Sequence, residues 1–186
     1  MTAVAANSTK LGGHRPPPQE GAIRDAVEAD LPAIVEIYNA AILTRISTAQ
    51  LETVSVEERL PWFRKHSPES HPLWVAEIDR RIAGWLSFHP FLKRGAYRAT
   101  AEISIYVREK FRRAGVGRSL LEKAIAHSPS LKITALVGCV FAHNEPSLRL
   151  FERFGFERWG FLPRIARVEG IERDLVIVGR PISVEA

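Results

Sequence analysis

The segment from Tyr106 to Leu121 (YVREKFRRAGVGRSLL) constrains the possible fold more than any other stretch of the sequence. Apolar β-branched residues lead into it, charged residues follow, and Gly115 and Gly117 then precede a pattern of apolar residues at helical spacing. The sequence therefore predicts a strand, a basic turn and a helix in direct succession. The strand pattern consists of Ile103, Ile105 and Val107, and the helical face of Val116, Leu120, Ala124 and Ile125.

The start of this predicted helix is a candidate anion site. Its first backbone N–H groups have no intrahelical partners and carry partial positive charge, and the nearby basic residues are Lys110, Arg112, Arg113 and Arg118. A phosphate or pyrophosphate suits such a site, whereas the alternative is a solvated basic surface. The P-loop pattern lacks its lysine at Arg118, and a dinucleotide-binding GxGxxG would need glycine at Leu120. Nucleotide binding is therefore the weaker alternative.

Length, composition and net charge limit the number of domains and the classes of molecule that the protein can bind. The chain has 186 residues, of which 46% are hydrophobic, enough for one domain with a full core. We expect a tail over residues 1–20, where no apolar periodicity occurs, and a single domain over residues 21–186. The net charge of +5 could serve nucleic acid, a membrane surface or an anionic small molecule. Because the basic residues are spread along the chain, we expect a small molecule with several phosphates, with no nucleic acid and no membrane partner.

The cysteine content points to a reducing compartment. Cys139 is the only cysteine, which excludes an intrachain disulfide and a zinc site made of several cysteines. We therefore expect a cytoplasmic protein. Because Cys139 lies in the apolar run ITALVGCVF, we expect it to be a buried small hydrophobic residue rather than a nucleophile.

The order of predicted elements indicates a mixed α/β sheet. A strand from Ala22 is followed by an amphipathic helix after Asp30, a favourable N-cap, and by a second helix from Val56 to Lys65. Asp79 and Arg80 join two strands as a hairpin. Further strands are TAEISIYV and LKITALVGCVF, Asn144 caps a last helix, and the closing strands are GFERWGFL, RIARVEG and ERDLVIVG. Antiparallel strands followed by a strand, helix, strand, helix, strand series predict the α/β class.

An ordered set of motifs gives this chain its likeness to a known family. Arg112, Gly115 and Gly117 satisfy the R/Q-x-x-G-x-G/A signature of the GCN5-related N-acetyltransferase (GNAT) superfamily. With AYRATAEISIYV upstream, HNEPSLRLFERFGF downstream and a final segment ending near Asp174, the chain resembles the phosphinothricin and L-amino-acid N-acetyltransferase branch. The likeness covers roughly Ala22 to Pro181.

This resemblance implies acetyl-CoA as co-substrate and no metal. In the superfamily two parallel strands splay apart, here Ala101 to Val107 and Lys132 to Val140, and the pantetheine arm lies between them. The resemblance assigns pantetheine to backbone groups of Ile105, Tyr106 and Val107. Asn144 either contacts the same arm or only caps its helix. The pyrophosphate site that the resemblance implies comprises Arg112, Arg113, Ala114, Gly115, Val116, Gly117 and Arg118.

Acetyl transfer to nitrogen requires an unprotonated amine, and hence a base. Glu102 matches the family's T-x-E-x-S segment, and strand alternation puts Ser104 and Tyr106 on the same face. The substrate positions that the resemblance implies are Arg94, Tyr97, Glu102 and Ser104. An arginine such as Arg94 could pair with a substrate carboxylate, or it could be an exposed loop residue.

The sequence also departs from the family pattern at two places. Phe151 stands where the superfamily often has Tyr or His near the departing thiolate, and phenylalanine cannot donate a proton. Arg167 and Glu172 precede Asp174 where the branch usually has a lysine and a tryptophan, which argues against phosphinothricin itself as substrate. The expected activity is direct acetyl transfer to a primary amine, of an amino acid or analogue, by an enzyme that could be a homodimer. The alternative is a non-catalytic acyl-CoA-binding sensor.

Overall fold

The computed structural model describes residues 22–183, so the predicted tail of residues 1–20 lies outside the described residues. The strands and helices alternate along the chain much as the sequence predicts. Their bounds are β1 Ala22–Asp25, α1 Leu31–Leu43, α2 Val56–Phe63, β2 Leu73–Ile78, β3 Arg81–Pro90, β4 Thr100–Val107, α3 Val116–His127, β5 Ala135–Phe141, α4 Glu145–Arg153, β6 Glu157–Val168 and β7 Ile171–Pro181.

The seven strands form one sheet in the order β1-β2-β3-β4-β5-β7-β6. Strands β4 and β5 are parallel, and every other neighbouring pair is antiparallel. The predicted mixed α/β sheet is thus confirmed. The hairpin between β2 and β3 turns at Asp79 and Arg80, which have φ angles of 51° and 59°.

Each face of the sheet buries its own apolar cluster because adjacent strand residues point to opposite faces. On one face Leu120 of α3 and Phe151 of α4 pack with Trp74 and Phe88. On the other face Ile34 of α1 packs with residues of β2 and β3, including Val75 and Trp85. Across residues 22–183, no helix has both the length and the apolar character needed to cross a membrane.

Several element boundaries differ from the sequence prediction. Helix α2 ends at Phe63 rather than Lys65. Strand β5 begins at Ala135 because residues 131–132 form a turn and the next two residues are irregular. The two predicted strands GFERWGFL and RIARVEG form a single strand, β6. Its pairing with β7 is irregular between Leu162 and Ala166. There the backbone N–H of Arg164 donates to Asp174 at 2.7 Å, so a side chain bridges the interruption.

Asp30 precedes α1 as predicted but does not cap it. Its carboxylate pairs with Arg24 (Nη1 to Oδ2, 2.6 Å) and accepts from the backbone N–H of Val27 at 2.8 Å. Asp30 makes no hydrogen bond to the helix N-terminus. The carboxylate of Asp30 therefore pairs with Arg24 of β1 instead of capping α1.

Candidate active site

Strands β4 and β5 separate in the middle of the sheet. They pair only from Thr100 with Ala135 to Glu102 with Val137. Beyond that point β4 stays paired with β3 as far as Val107, and β5 stays paired with β7 as far as Phe141. The predicted splay between the two parallel strands is present, and its apex lies at Glu102.

The backbone of β4 offers hydrogen-bonding groups to this gap at alternate residues. The N–H of Arg108 donates to Ala83 on the β3 side at 2.8 Å, whereas the C=O of Ala99 accepts from Thr134 on the β5 side at 2.8 Å. Since backbone polar groups alternate in direction along a strand, those of Ile105 and Val107 face the gap. The backbone of Tyr106 faces β3 instead, so only its side chain is directed toward the site.

The turn before α3 presents backbone N–H groups at the same end of the gap. Gly115 is the N-cap residue in the left-handed region (φ 91°), and Arg113 also has a positive φ of 66°. The first helical bond runs from Ser119 N–H to Gly115 at 2.9 Å, which leaves the N–H groups of Val116, Gly117 and Arg118 for a ligand. The Arg118 side chain pairs with Glu122 (3.1 Å), so at this position the donor that remains free is the backbone N–H rather than the guanidinium.

A cavity of about 330 Å³ opens over the face of the sheet that carries Glu102. Its floor comes from β3, β4 and β5, and its walls from α1, α2 and the intervening loop. Glu102, Ser104 and Tyr106 all line it, as strand alternation predicted. The remaining lining residues are Tyr38, Ser47, Thr48, Ala49, Arg59, Trp85, Ser87, His89, Cys139, Phe141 and Leu175. Its size suits a small molecule.

Burial raises the pKa of the Glu102 carboxyl above its ordinary value, and a hydrogen bond from the Cys139 thiol partly opposes this. Glu102 is the cross-strand partner of His89. Burial, followed by the nearby His66 and Arg59, lowers the pKa of His89 to about 4. His89 is therefore neutral near pH 7 and supplies no charge that would stabilise the Glu102 carboxylate.

The prediction that Cys139 is buried is wrong. Gly138 faces α4, where an added Cβ would lie 3.1 Å from the Phe151 ring, and Cys139 points to the opposite face and is exposed in the cavity. The gap between β4 and β5 leaves this side chain uncovered, which an apolar sequence run cannot reveal. The cavity walls still desolvate the thiol in part, and this desolvation, together with the charge and the hydrogen bond of Glu102, raises the pKa of Cys139 to about 11.

Arg94 and Tyr97 do not line the cavity that contains Glu102. Both lie on the exposed loop between β3 and β4, where they border a separate depression of about 260 Å³. The Tyr97 ring packs edge-on against Phe91, with centroids 6.2 Å apart. Of the four predicted substrate positions, the structure thus brings together Glu102 and Ser104 but not the loop pair.

Comparisons with known proteins agree with this geometry. Residues 33–156 match the model of the acetyltransferase (GNAT) family. The chain belongs to the acetyltransferase (GNAT) family. It is 47% identical over 162 residues to a Bacillus subtilis protein named "Putative phosphinothricin acetyltransferase YwnH", covering 87% of this chain and 99% of that one. It is 31% identical to the L-methionine sulfoximine/L-methionine sulfone acetyltransferase of Pseudomonas aeruginosa, over 84% of this chain and 91% of that protein.

A solved structure extends the likeness to the whole fold. The GNAT superfamily phosphinothricin acetyltransferase (Pat) from Sinorhizobium meliloti, in complex with AcCoA, superposes with a TM-score of 0.83 at 28% identity, covering 88% of this chain and 89% of that one. As a GNAT member, this chain is an N-acetyltransferase that uses acetyl-CoA as co-substrate. No group of three or more His, Cys, Asp or Glu residues in the described range is arranged to hold a metal ion.

Three further positions of this acetyltransferase lie on or near α4. Asn144 is buried and caps the helix, with its Oδ1 accepting from the N–H of Ser147 at 3.3 Å. Phe151 is also buried and packs edge-on against Phe156 at 4.9 Å. His143 is exposed, and its ring stacks on Phe141 at 5.4 Å. The capping role of Asn144 is therefore present, and Phe151 is a core residue.

Among the cavity residues that sequence reasoning missed, two carry ionisable side chains that bear on the chemistry, Arg59 and His89. Arg59 lies on the same face of α2 as the apolar Val56 and Phe63, at helical spacing. A charged residue on an apolar helix face is the sequence feature that could have predicted its position in the cavity. His89 lies two residues beyond Ser87 on β3, and its Nε2 is 2.9 Å from the Ser87 Oγ. Alternation along β3 was the signal for His89, because Trp85, Ser87 and His89 share one face.

Proposed function

We propose that this enzyme transfers the acetyl group of acetyl-CoA to the primary amine of an amino acid or a close analogue, by direct attack and without a covalent enzyme intermediate. The observation that carries the proposal is the position of Glu102, at the apex of the β4–β5 gap and on the floor of the cavity. The gap and the cavity meet at this carboxylate. A thioester entering from one side and an amine from the other would both reach it.

Glu102 acts as the general base in this proposal. Most aliphatic amines are protonated near neutral pH and cannot attack until a proton is removed, directly or through water. A carboxylate whose pKa is raised by burial accepts that proton more readily than an exposed one. The freed nitrogen then attacks the thioester carbonyl carbon, the carbon–sulfur bond breaks, and the CoA thiolate leaves. The nitrogen loses a further proton to water as the amide forms.

The enzyme's backbone would bind acetyl-CoA. The gap-facing groups of Ile105 and Val107 suit the amides of the pantetheine arm, and one such N–H near the thioester oxygen would stabilise the negative charge that develops on it. The free N–H groups of Val116, Gly117 and Arg118, with the exposed Arg112 and Arg113 beside them, suit the pyrophosphate. Asn144 at the β5–α4 junction would contact the pantetheine arm through its side chain.

The proton that the departing thiolate needs would come from water, because Phe151 cannot supply it. Phe151 is buried and carries no polar atom. The cavity side of the gap holds a thiol, Cys139, but its raised pKa and its hydrogen bond to Glu102 make it a poor donor to a second group.

Titration of acetyl-CoA into the purified protein, followed by an amine panel, tests the proposal. We expect saturable binding, and turnover with amino acids or their analogues that depends on Glu102. Absence of binding at millimolar acetyl-CoA, or binding without turnover across the panel, would count against it. The panel includes phosphinothricin, the substrate named for several relatives.

We also propose a homodimer in the cytoplasm. The β6–β7 hairpin exposes large apolar side chains, as expected of an association surface: Trp159, Phe161, Leu162, Ile165 and Ile171. A single cysteine and the use of acetyl-CoA suit a reducing compartment. Analytical ultracentrifugation of the wild type and of Ile165→Lys tests the association, with a shift to monomer expected for the variant and a monomeric wild type contradicting it.

A further inference from the structure

Arg59 brings a fixed positive charge to the cavity wall. It reaches the cavity from α2 and lies over two aromatic rings, with its Cζ 3.8 Å from the Trp62 ring centroid and 4.6 Å from that of Tyr38. Tyr38 is itself held edge-on by Tyr106, with centroids 5.2 Å apart. The guanidinium is therefore held in one place by its stacking partners.

This guanidinium has no anionic partner among the described residues. Its Nε is buried and without a hydrogen bond in that part of the chain, and no aspartate or glutamate of residues 22–183 forms an ion pair with it. Arg24 and Arg108, by contrast, are paired with Asp30 and Glu36. Burying a cation without a counter-charge is unfavourable, and burial lowers the pKa of Arg59 for that reason.

The other ionisable residues of the cavity do not neutralise the positive charge of Arg59. Glu102 forms no ion pair with Arg59, and His89 is neutral near pH 7 because its pKa is about 4. Arg59 is thus the one residue lining the described cavity that carries a positive charge at neutral pH. The cavity offers a carboxylate at one place and a guanidinium at another, which is the charge pattern that complements an α-amino acid.

We propose that Arg59 binds the carboxylate of the acceptor while Glu102 receives its amine, so that the substrates are α-amino acids and analogues that keep the free carboxylate. The inference rests on the proposed function and narrows it. It moves the carboxylate anchor from the exposed Arg94, one of the candidates that the sequence offered, to the half-buried Arg59 in the same cavity as the base. A guanidinium can hold a carboxylate through two parallel hydrogen bonds, which fixes the direction in which the amine points.

Two acceptors that differ only at the carboxylate test this assignment: L-methionine sulfone and its carboxamide. If the sulfone is not turned over, the acid and amide of the best acceptor in the amine panel replace it. The amine of a carboxamide loses its proton more readily than that of the acid, so the diagnostic quantity is the change in the acid-to-amide ratio of kcat/KM between variants. Isothermal titration of acetyl-CoA is run in parallel.

Three variants separate charge, geometry and location. Arg59→Met removes the charge and keeps a flexible apolar side chain over the rings, Arg59→Lys keeps the charge without the planar fork, and Arg94→Met makes the same change on the exposed loop. For Arg59→Met we expect the acid-to-amide ratio to fall by roughly 10- to 100-fold, mainly through KM. Arg59→Lys recovers part of the ratio, Arg94→Met leaves it unchanged, and every variant binds acetyl-CoA as the wild type does.

The outcomes distinguish this inference from the function on which it rests. An unchanged ratio in Arg59→Met, or a loss of the ratio in Arg94→Met instead, overturns the assignment of Arg59 and leaves N-acetyl transfer intact. Thermal melting shows whether Arg59→Met is folded, and if it is not, the ratio measured for Arg59→Lys decides the assignment in the same way. Acetyl-CoA binding by the wild type without turnover of any amine overturns the proposed function itself.

Discussion

His89 of β3 stands directly across from Glu102 of β4 in the antiparallel register. Both side chains line the same cavity, yet burial drives their pKa values in opposite directions, upward for the acid and downward to about 4 for the histidine. Both shifts favour the neutral form. The carboxylate that forms when Glu102 ionises therefore has no cation on the opposite strand.

The first prediction concerns the base. Glu102→Gln keeps the size of the side chain and removes proton acceptance, so kcat should fall by roughly 10²- to 10⁴-fold while the Kd for acetyl-CoA stays the same. The wild-type rate should fall on acidification with an inflection above the ordinary 4.5, because burial raises the pKa of Glu102. Stopped assays across pH measure both effects, and an unchanged pH profile in the variant would remove Glu102 from this role.

The second prediction concerns stability at acid pH. The pKa of His89 is about 4 in the folded protein against 6.5 when unperturbed, so the unfolded chain binds the proton first and stability is lost as pH falls from 6.5 towards 4. The loss from this group approaches about 3 kcal/mol. His89→Gln should lose less free energy of unfolding between pH 7 and pH 4.5, as measured by urea titration. Equal losses in both proteins would contradict the prediction.

The third prediction concerns the turn before α3. Gly115 has a φ of 91°, so Gly115→Ala should cost about 1–2 kcal/mol of stability and also weaken acetyl-CoA binding by about tenfold or more, because relieving the strain moves the N–H groups. Gly170→Ala is the matched control, since Gly170 has a φ of 79° with open space around it in the β6–β7 hairpin. Gly170→Ala should lower stability without weakening acetyl-CoA binding. Equal losses of acetyl-CoA affinity in the two variants would show that the turn before α3 has no special role in binding.

The fourth prediction concerns Cys139. Its thiol pKa of about 11 leaves little thiolate near pH 7, and direct attack needs no enzyme nucleophile. Cys139→Ala should keep kcat within about threefold of the wild type. It should move the acidic limb of the pH profile upward, since the hydrogen bond that lowers the pKa of Glu102 is lost. A variant without activity would indicate a covalent acetyl-cysteine route.

The fifth prediction concerns Phe151. Its ring contacts β5 at Gly138 so closely that a Cβ there would lie 3.1 Å from Cζ. A hydroxyl on that carbon would overfill the core, so Phe151→Tyr should cost about 1–3 kcal/mol and should not raise kcat. Chemical denaturation and steady-state kinetics check both parts, and a more active variant would show that a donor at this position restores a missing step.

Local patterns were enough to predict the elements that carry the cofactor side of the site. The alternation of apolar and polar residues predicted both ends of β4, and the glycine-bearing turn predicted the start of α3. Each of these features depends only on residues that are close in sequence. The exposure of Cys139 and the position of Arg59 depend on how distant elements meet. No periodicity records that two parallel strands part after Glu102, or that α2 lies over the cavity.

The separation of β4 and β5 gives this fold a vacant strand position in the middle of a sheet, since β3 and β7 hold the two sides in place. A pantetheine arm lying there would act as a guest strand whose amides pair with main-chain atoms of Ile105 and Val107. Main-chain pairing depends little on which side chains the strand carries. Mutations that reshape the acceptor cavity would therefore leave cofactor recognition largely untouched, so new amine specificities could arise on an unchanged acetyl-CoA site.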